Sequence, residues 1–104
     1  MYKLGFYVPD SHLEVVKAAL FAAGAGTIGN YDSCCWQVLG RGQFRPLAGS
    51  NPHLGQQGMV EQVPEWRVEM VVAEALLKVV IAALRASHPY EEPAFDVVAT
   101  VNVE

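Results

Sequence analysis

The chain alternates between stretches of two-residue period and stretches of period near 3.6, and that alternation predicts its elements. From Lys3 to Val8, Leu4, Phe6 and Val8 share one side while Lys3, Gly5 and Tyr7 share the other. This is a half-buried strand, ended by Pro9 and Asp10. Ser11 with Glu14 three positions later has the spacing of a capping box. Leu13, Val16, Leu20 and Phe21 then recur at helical spacing until Gly24 and Gly26 close the helix. Ser33 to Leu39 predicts a second strand with Cys34, Trp36 and Val38 on one side. Glu65 to Val72 is the cleanest alternation: Trp66, Val68, Met70 and Val72 face one way, and Glu65, Arg67 and Glu69 the other. A helix from Glu74 to Ala86 would bury Leu77, Val80, Ile81 and Leu84, and Pro89 blocks its continuation. Ala94 to Val103 closes the series as a strand with Phe95, Val97, Ala99, Val101 and Val103 on one face.

The order βαββαβ predicts an α+β, ferredoxin-like sandwich: a four-stranded antiparallel sheet with both helices on one face. Residues 1–104 are read as a single domain with a long Gly/Pro-rich loop at about 40–64. A loop of that length inside a compact domain usually carries function. The sheet face away from the helices must be wet or covered. The charges of the third strand predict a partly wet face, and Val98 and Thr100 of the last strand a partly covered one.

Composition adds the expectation of assembly. The chain is 52% hydrophobic and 17% charged, whereas globular proteins average about 25% charged residues. Apolar surface in such excess is often hidden against a copy of the same chain. The net charge of −4, with no Lys/Arg cluster, disfavours nucleic acid as a partner. The apolar stretch Leu76–Leu84 is interrupted by Lys78 and is too short to span a bilayer, and Met1-Tyr2-Lys3-Leu4 does not open a signal peptide. No membrane partner is expected, and the cytoplasm is the expected location. Cys34 and Cys35 are adjacent, so a strand would point them to opposite faces, one thiol toward the core. They form no zinc or redox motif.

Three segments hold the candidate chemistry. Gly24-Ala25-Gly26-Thr27-Ile28-Gly29-Asn30-Tyr31-Asp32 has glycine flexibility but follows a helix instead of opening one, and a structural turn competes with phosphate binding. Arg41-Gly42-Gln43-Phe44-Arg45-Pro46 offers two guanidinium groups around an aromatic ring, able to grip an anion, against a solvated loop or an oligomer contact. His88-Pro89-Tyr90-Glu91-Glu92-Pro93 offers nitrogen and oxygen ligands, with His88 and Glu91 as the metal candidates for a divalent ion, against a simple helix exit. His12, His53 and His88 fall in three unrelated settings, and no nucleophile-and-base motif is present.

Those residues also carry a family likeness. The run Ala22–Asp32, then Gly42-Gln43-Phe44-Arg45-Pro46 with Gly49-Ser50-Asn51-Pro52, then His88–Ala94 resembles the middle domain of the Nif-three-like family, whose members bear the label GTP cyclohydrolase I type 2 homologues. The resemblance implies an insert that in full-length members separates two halves carrying a two-metal site. The insert itself is similar to the PII signalling and CutA proteins, which are ferredoxin-like and commonly trimeric. This chain corresponds to the insert, so the dinuclear site is not expected in it. On its residues the family pattern falls on Gly29, Asn30, Tyr31, Phe44, Arg45, Pro46, His88, Pro89, Tyr90, Glu91 and Glu92.

The leading expectation is a small oligomeric sensor or binding module, a dimer or trimer, for a divalent metal ion or a small anionic metabolite. Arg41, Arg45, His88, Tyr90, Glu91, Glu92, Asn30 and Tyr31 are its candidate contacts. The competing expectations are a protein-interaction adapter, and a minor enzyme at a subunit boundary with His88 as base and Glu91 or Glu92 as acid.

Overall fold

The computed structural model describes residues 1–104. Its elements run β1 (Tyr2–Pro9), α1 (Leu13–Ala22), β2 (Trp36–Phe44), β3 (Glu61–Val72), α2 (Leu77–Ser87) and β4 (Phe95–Ala99). The sheet has the order β2-β3-β1-β4 and is antiparallel throughout. This is the predicted ferredoxin-like sandwich.

Alternation and register together build the core. Leu4, Phe6 and Val8 stand opposite Met70, Val68 and Trp66 across the β1–β3 ladder. On the same face, Leu13, Val16 and Leu20 of α1 and Val80 and Leu84 of α2 join them in one cluster of 12 buried residues. Leu77 and Ile81 pack at its margin. Each fully buried aliphatic side chain contributes roughly 1.5–3 kcal/mol, so this face fixes the register: a one-residue slip would turn every one of them outward.

Several predicted boundaries move: α2 starts at Leu77 behind a short turn at Glu74–Leu76, and the larger shifts are at strand ends. The strands β2 and β3 run well into the predicted loop, which shrinks to residues 45–60. Gly40, Gly42 and Pro64 look like breakers, yet they pair as Gly40↔Glu65, Gly42↔Val63 and Arg41↔Pro64. Because β1 ends at Pro9↔Glu65, the ribbon beyond that point has no third strand beside it, and an edge tolerates proline. At the other end, β2 starts at Trp36 instead of Ser33, leaving half-buried Cys34 and exposed Cys35 ahead of it as free thiols. The strand β4 stops at Ala99, paired with Tyr2 in the last rung of the β1–β4 ladder, and Thr100 beyond it bonds the Met1 carbonyl. Past the ladder, Val101 and Val103 are exposed instead of sharing a buried face.

The capping box does not form. A short turn at Asp10–His12 precedes α1, and His12 sits at the cap position with no side-chain cap bond. Ser11 Oγ instead meets His12 Nδ1 at 2.8 Å, and Glu14 pairs with Lys17 at 3.2 Å. No helix is long and apolar enough to cross a membrane.

The face of the sheet away from the helices is mixed. Arg67 lies over Gly5, donates to Asp96 at 3.0 Å and to Glu69 at 3.2 Å, and Lys3 bonds Glu69 at 3.0 Å. Around that network, Trp36, Val38 and Val98 are 58%, 45% and 54% exposed. Trp36 and Val38 share this face with Arg67 by register (Trp36↔Glu69, Val38↔Arg67), so they face outward and not toward the core.

Candidate functional site

The ribbon, its loop and the turn after α2 enclose a cleft of about 710 Å³. That size lies within the range of small-molecule sites. One wall is Arg41 to Leu47, another is Tyr90, Glu91 and Glu92, and the floor is sheet: Tyr7, Glu65 and Arg67. The lining is mainly apolar, with convergent polar groups.

The loop reaches the body through a few defined contacts. The Asn51 N–H donates to Glu91 Oε2 at 2.7 Å. The Tyr90 ring stands 6.0 Å from Phe44 and 6.1 Å from His53. Within the loop, the Gly58 N–H donates to the Pro46 carbonyl at 2.7 Å, and Pro46 itself is buried. Two of the three predicted segments thus meet, joined by Glu91 and Tyr90.

His88 lies beneath that junction, only 6% exposed. Its Nε2 is 2.6 Å from the Tyr7 carbonyl, and its Nδ1 accepts the Tyr90 N–H at 3.1 Å. A carbonyl only accepts, so Nε2 carries the proton and Nδ1 the lone pair, and both nitrogens are committed to backbone. Burial lowers its pKa; the bond to Tyr7 opposes this, and the charges of His12 and His53 push further down. The imidazole is a neutral brace between β1 and the 88–93 turn.

The other titrating groups divide into committed and free. Burial, then the negative charge of Glu65, holds the Tyr90 phenol above its ordinary value, and its hydroxyl is buried without a hydrogen bond of good geometry. Arg67 is held in its charged form first by Asp96 and then by Glu69, and it stacks over the Tyr7 ring at 5.0 Å. Lys3 and then Arg67 keep the Glu69 carboxyl below its usual range. Arg41 and Arg45 are exposed at the cleft and take part in none of the ion pairs.

Asn30 and Tyr31 stand apart from the cleft. They lie in a tight turn closed by reciprocal Ile28–Tyr31 backbone bonds of 2.8 and 2.9 Å. Gly26 fastens that turn to Val71, at the end of β3 opposite to Glu65. The three histidines, in contrast, are brought together. His12 meets His53 at 5.5 Å, His53 meets Tyr90 at 6.1 Å, and Tyr90 meets His88 at 5.0 Å between ring centroids. Their settings are unrelated only in sequence. No group of three or more His, Cys, Asp or Glu side chains converges as a metal cage. The floor residues Tyr7 and Glu65 escaped the reading by motif, although strand alternation already placed Tyr7 and Arg67 on one face.

No family model matches the chain. Among curated proteins, it is 53% identical over 95 residues to a "GTP cyclohydrolase 1 type 2 homolog" of Mycobacterium tuberculosis, covering 91% of this chain and 25% of that protein. A protein of the same name from Bacillus subtilis is 47% identical, with 91% and 26% covered. The chain thus spans about a quarter of the length of the curated relatives it matches. Among solved structures, a Bacillus cereus protein related to NIF3 superposes with a TM-score of 0.83 at 40% identity, covering 97% of this chain and 26% of the other. CutA1 from Pyrococcus horikoshii superposes with a TM-score of 0.71 at 18% identity, covering 100% and 87%. At that identity the likeness is one of fold.

Proposed function

Starting from its homology to one quarter-length segment of the Nif-three-like GTP cyclohydrolase 1 type 2 homologues, we propose that this chain is a self-associating module that binds a small anionic ligand in the cleft beneath its β2–β3 loop. The observation that carries the reading is the pair Arg41 and Arg45, two guanidinium groups at one apolar-lined cleft with no carboxylate partner. A guanidinium offers a planar fork of donors suited to carboxylate or phosphate. The neighbouring cation Arg67 is already neutralised by Asp96 and Glu69, so it is not available for the same task. A divalent ion at His88 and Glu91 has less support. Both nitrogens of His88 hold backbone groups, and Glu91 accepts from Asn51. The cyclohydrolase in the relatives' name describes proteins of which this chain matches a quarter, and it forms no part of the proposal.

Thermal denaturation with inorganic phosphate, pyrophosphate and a nucleoside triphosphate tests the cleft. Binding to the native state at a hundredfold excess over Kd stabilises by about 2.7 kcal/mol. Stabilisation by at least one of these anions, lost in Arg45→Ala, is the expected result. No stabilisation by any of them, or equal stabilisation of the variant, refutes it.

Self-association is supported by the outward face of the sheet, where Trp36, Val38 and Val98 flank the ion network. Sedimentation of wild type against Val38→Asp gives the readout: the wild type is expected to be oligomeric and the variant to shift toward monomer. A monomeric wild type removes this half of the proposal. A protein partner other than a second copy would use the same face.

A further inference from the structure

We propose that His12 and His53 form a two-imidazole clip for a borderline divalent cation such as Zn²⁺, fastening the β2–β3 loop to the turn ahead of α1. The two rings come from elements 41 positions apart in the chain, and their centroids are 5.5 Å apart. Zinc binds an imidazole nitrogen at about 2.0–2.1 Å. The ring centre lies about 1.2 Å behind that nitrogen, so two imidazoles on one tetrahedral zinc have centroids about 5.2 Å apart. The observed separation matches that spacing. The rings meet edge to face, at 86°. A shared ion requires one nitrogen of each ring to turn toward a common point, and exposed His53 has room to rotate about its side-chain bonds.

The two histidines differ from His88 in the property that matters. His88 has both nitrogens bonded to backbone. His12 has one nitrogen occupied, with Nδ1 at 2.8 Å from Ser11 Oγ, and none of the hydrogen bonds of the structure involves its Nε2. When Nδ1–H donates to the Ser11 hydroxyl, Nε2 carries the lone pair and faces away. A metal-binding histidine commonly has this arrangement, its second nitrogen orienting the ring through an outer acceptor. The other coordination positions are left to water, so the clip holds its ion less tightly than a structural zinc site with four protein ligands. Imidazole donors select Zn²⁺, Ni²⁺ and Cu²⁺ over Mg²⁺ and Ca²⁺.

The clip is independent of the anion proposal, since Arg41 and Arg45 are not ligands. Its consequence is mechanical: His53 lines the cleft, so an ion held between it and His12 would fix the loop that forms the cleft wall.

Zinc titration by calorimetry at pH 7.5, on wild type and on a Cys34→Ser/Cys35→Ser background, provides the test. One saturable Zn²⁺ per chain is expected in both. His12→Ala and His53→Ala are each expected to weaken it at least tenfold, and Ser11→Ala about tenfold. Arg45→Ala and the cysteine background leave it unchanged. All three histidine-cluster substitutions lie at exposed or half-buried positions, and circular dichroism verifies that each variant is folded. The ring ¹⁵N signals of His12 and His53 should move on titration while those of His88 stay. The proposal is overturned by the absence of saturable binding up to millimolar zinc. It is equally overturned by binding that survives both histidine variants or disappears in the cysteine background.

Discussion

Replacing His88 by alanine removes a brace, and the structure sets how much that costs. The Tyr7 carbonyl loses its donor and the Tyr90 N–H its acceptor, in a place that is 6% exposed at His88. An orphaned buried polar group costs roughly 1–3 kcal/mol. Both partners lie on residues with some exposure, so the lower part of that range applies to each, giving about 2–4 kcal/mol in all. For a domain of this size the melting temperature falls by roughly 10–25 °C. His88→Gln keeps a donor toward Tyr7 but offers no well-placed acceptor to Tyr90, and it should lose about half as much. A second readout is the pH dependence. The folded pKa of His88 lies below the ordinary 6.5, so below pH 6.5 the unfolded chain binds a proton that the folded chain refuses. Stability from this residue is complete above pH 6.5. It declines as pH falls toward the folded pKa, by up to about 1.4 kcal/mol per pH unit. Thermal denaturation followed by circular dichroism between pH 5 and 8 measures both effects, and this component of the slope should be missing in His88→Gln. A melting temperature of His88→Ala within two or three degrees of wild type would refute the brace.

Two further outcomes follow from local geometry. Gly26→Ala should cost about 2 kcal/mol, because Gly26 has a φ of +77° and an added Cβ would lie 2.7 Å from the Cys34 carbonyl oxygen; chemical denaturation measures it, and an unchanged midpoint contradicts the fit. Glu91→Ala removes the acceptor of the Asn51 N–H. It should accelerate limited proteolysis within residues 45–60 severalfold while shifting global stability by less than about 1 kcal/mol.

The sequence reading succeeded where one face of an element is buried. Leu4, Phe6 and Val8, or Val68, Met70 and Val72, can alternate only one way once a core exists. It failed where the partner strand decides. Val101 and Val103 have the pattern of a strand, but they lie beyond the last rung of the β1–β4 ladder, Tyr2↔Ala99. Gly40, Gly42 and Pro64 read as loop because propensity is local, whereas the ladder that holds them is not. The candidate site shows the same division. Arg41, Arg45, Tyr90, Glu91 and Glu92 could be singled out as loop chemistry, and they do share a cleft. The commitment of His88 to Tyr7 spans 81 positions, and the meeting of His12 with His53 depends on how the loop folds back. Neither leaves a mark in local sequence.

The pairing that ends the sheet also brings the two ends of the chain to one spot. Ala99 faces Tyr2, and both the N–H and the hydroxyl of Thr100 donate to the Met1 carbonyl, at 3.1 and 2.8 Å. Entry and exit therefore share a single doorway, and the core packs without reference to what passes through it. Such a fold can be spliced into a surface loop of another protein without stretching either. The same closed geometry suits a segment that makes up 25% of a longer relative.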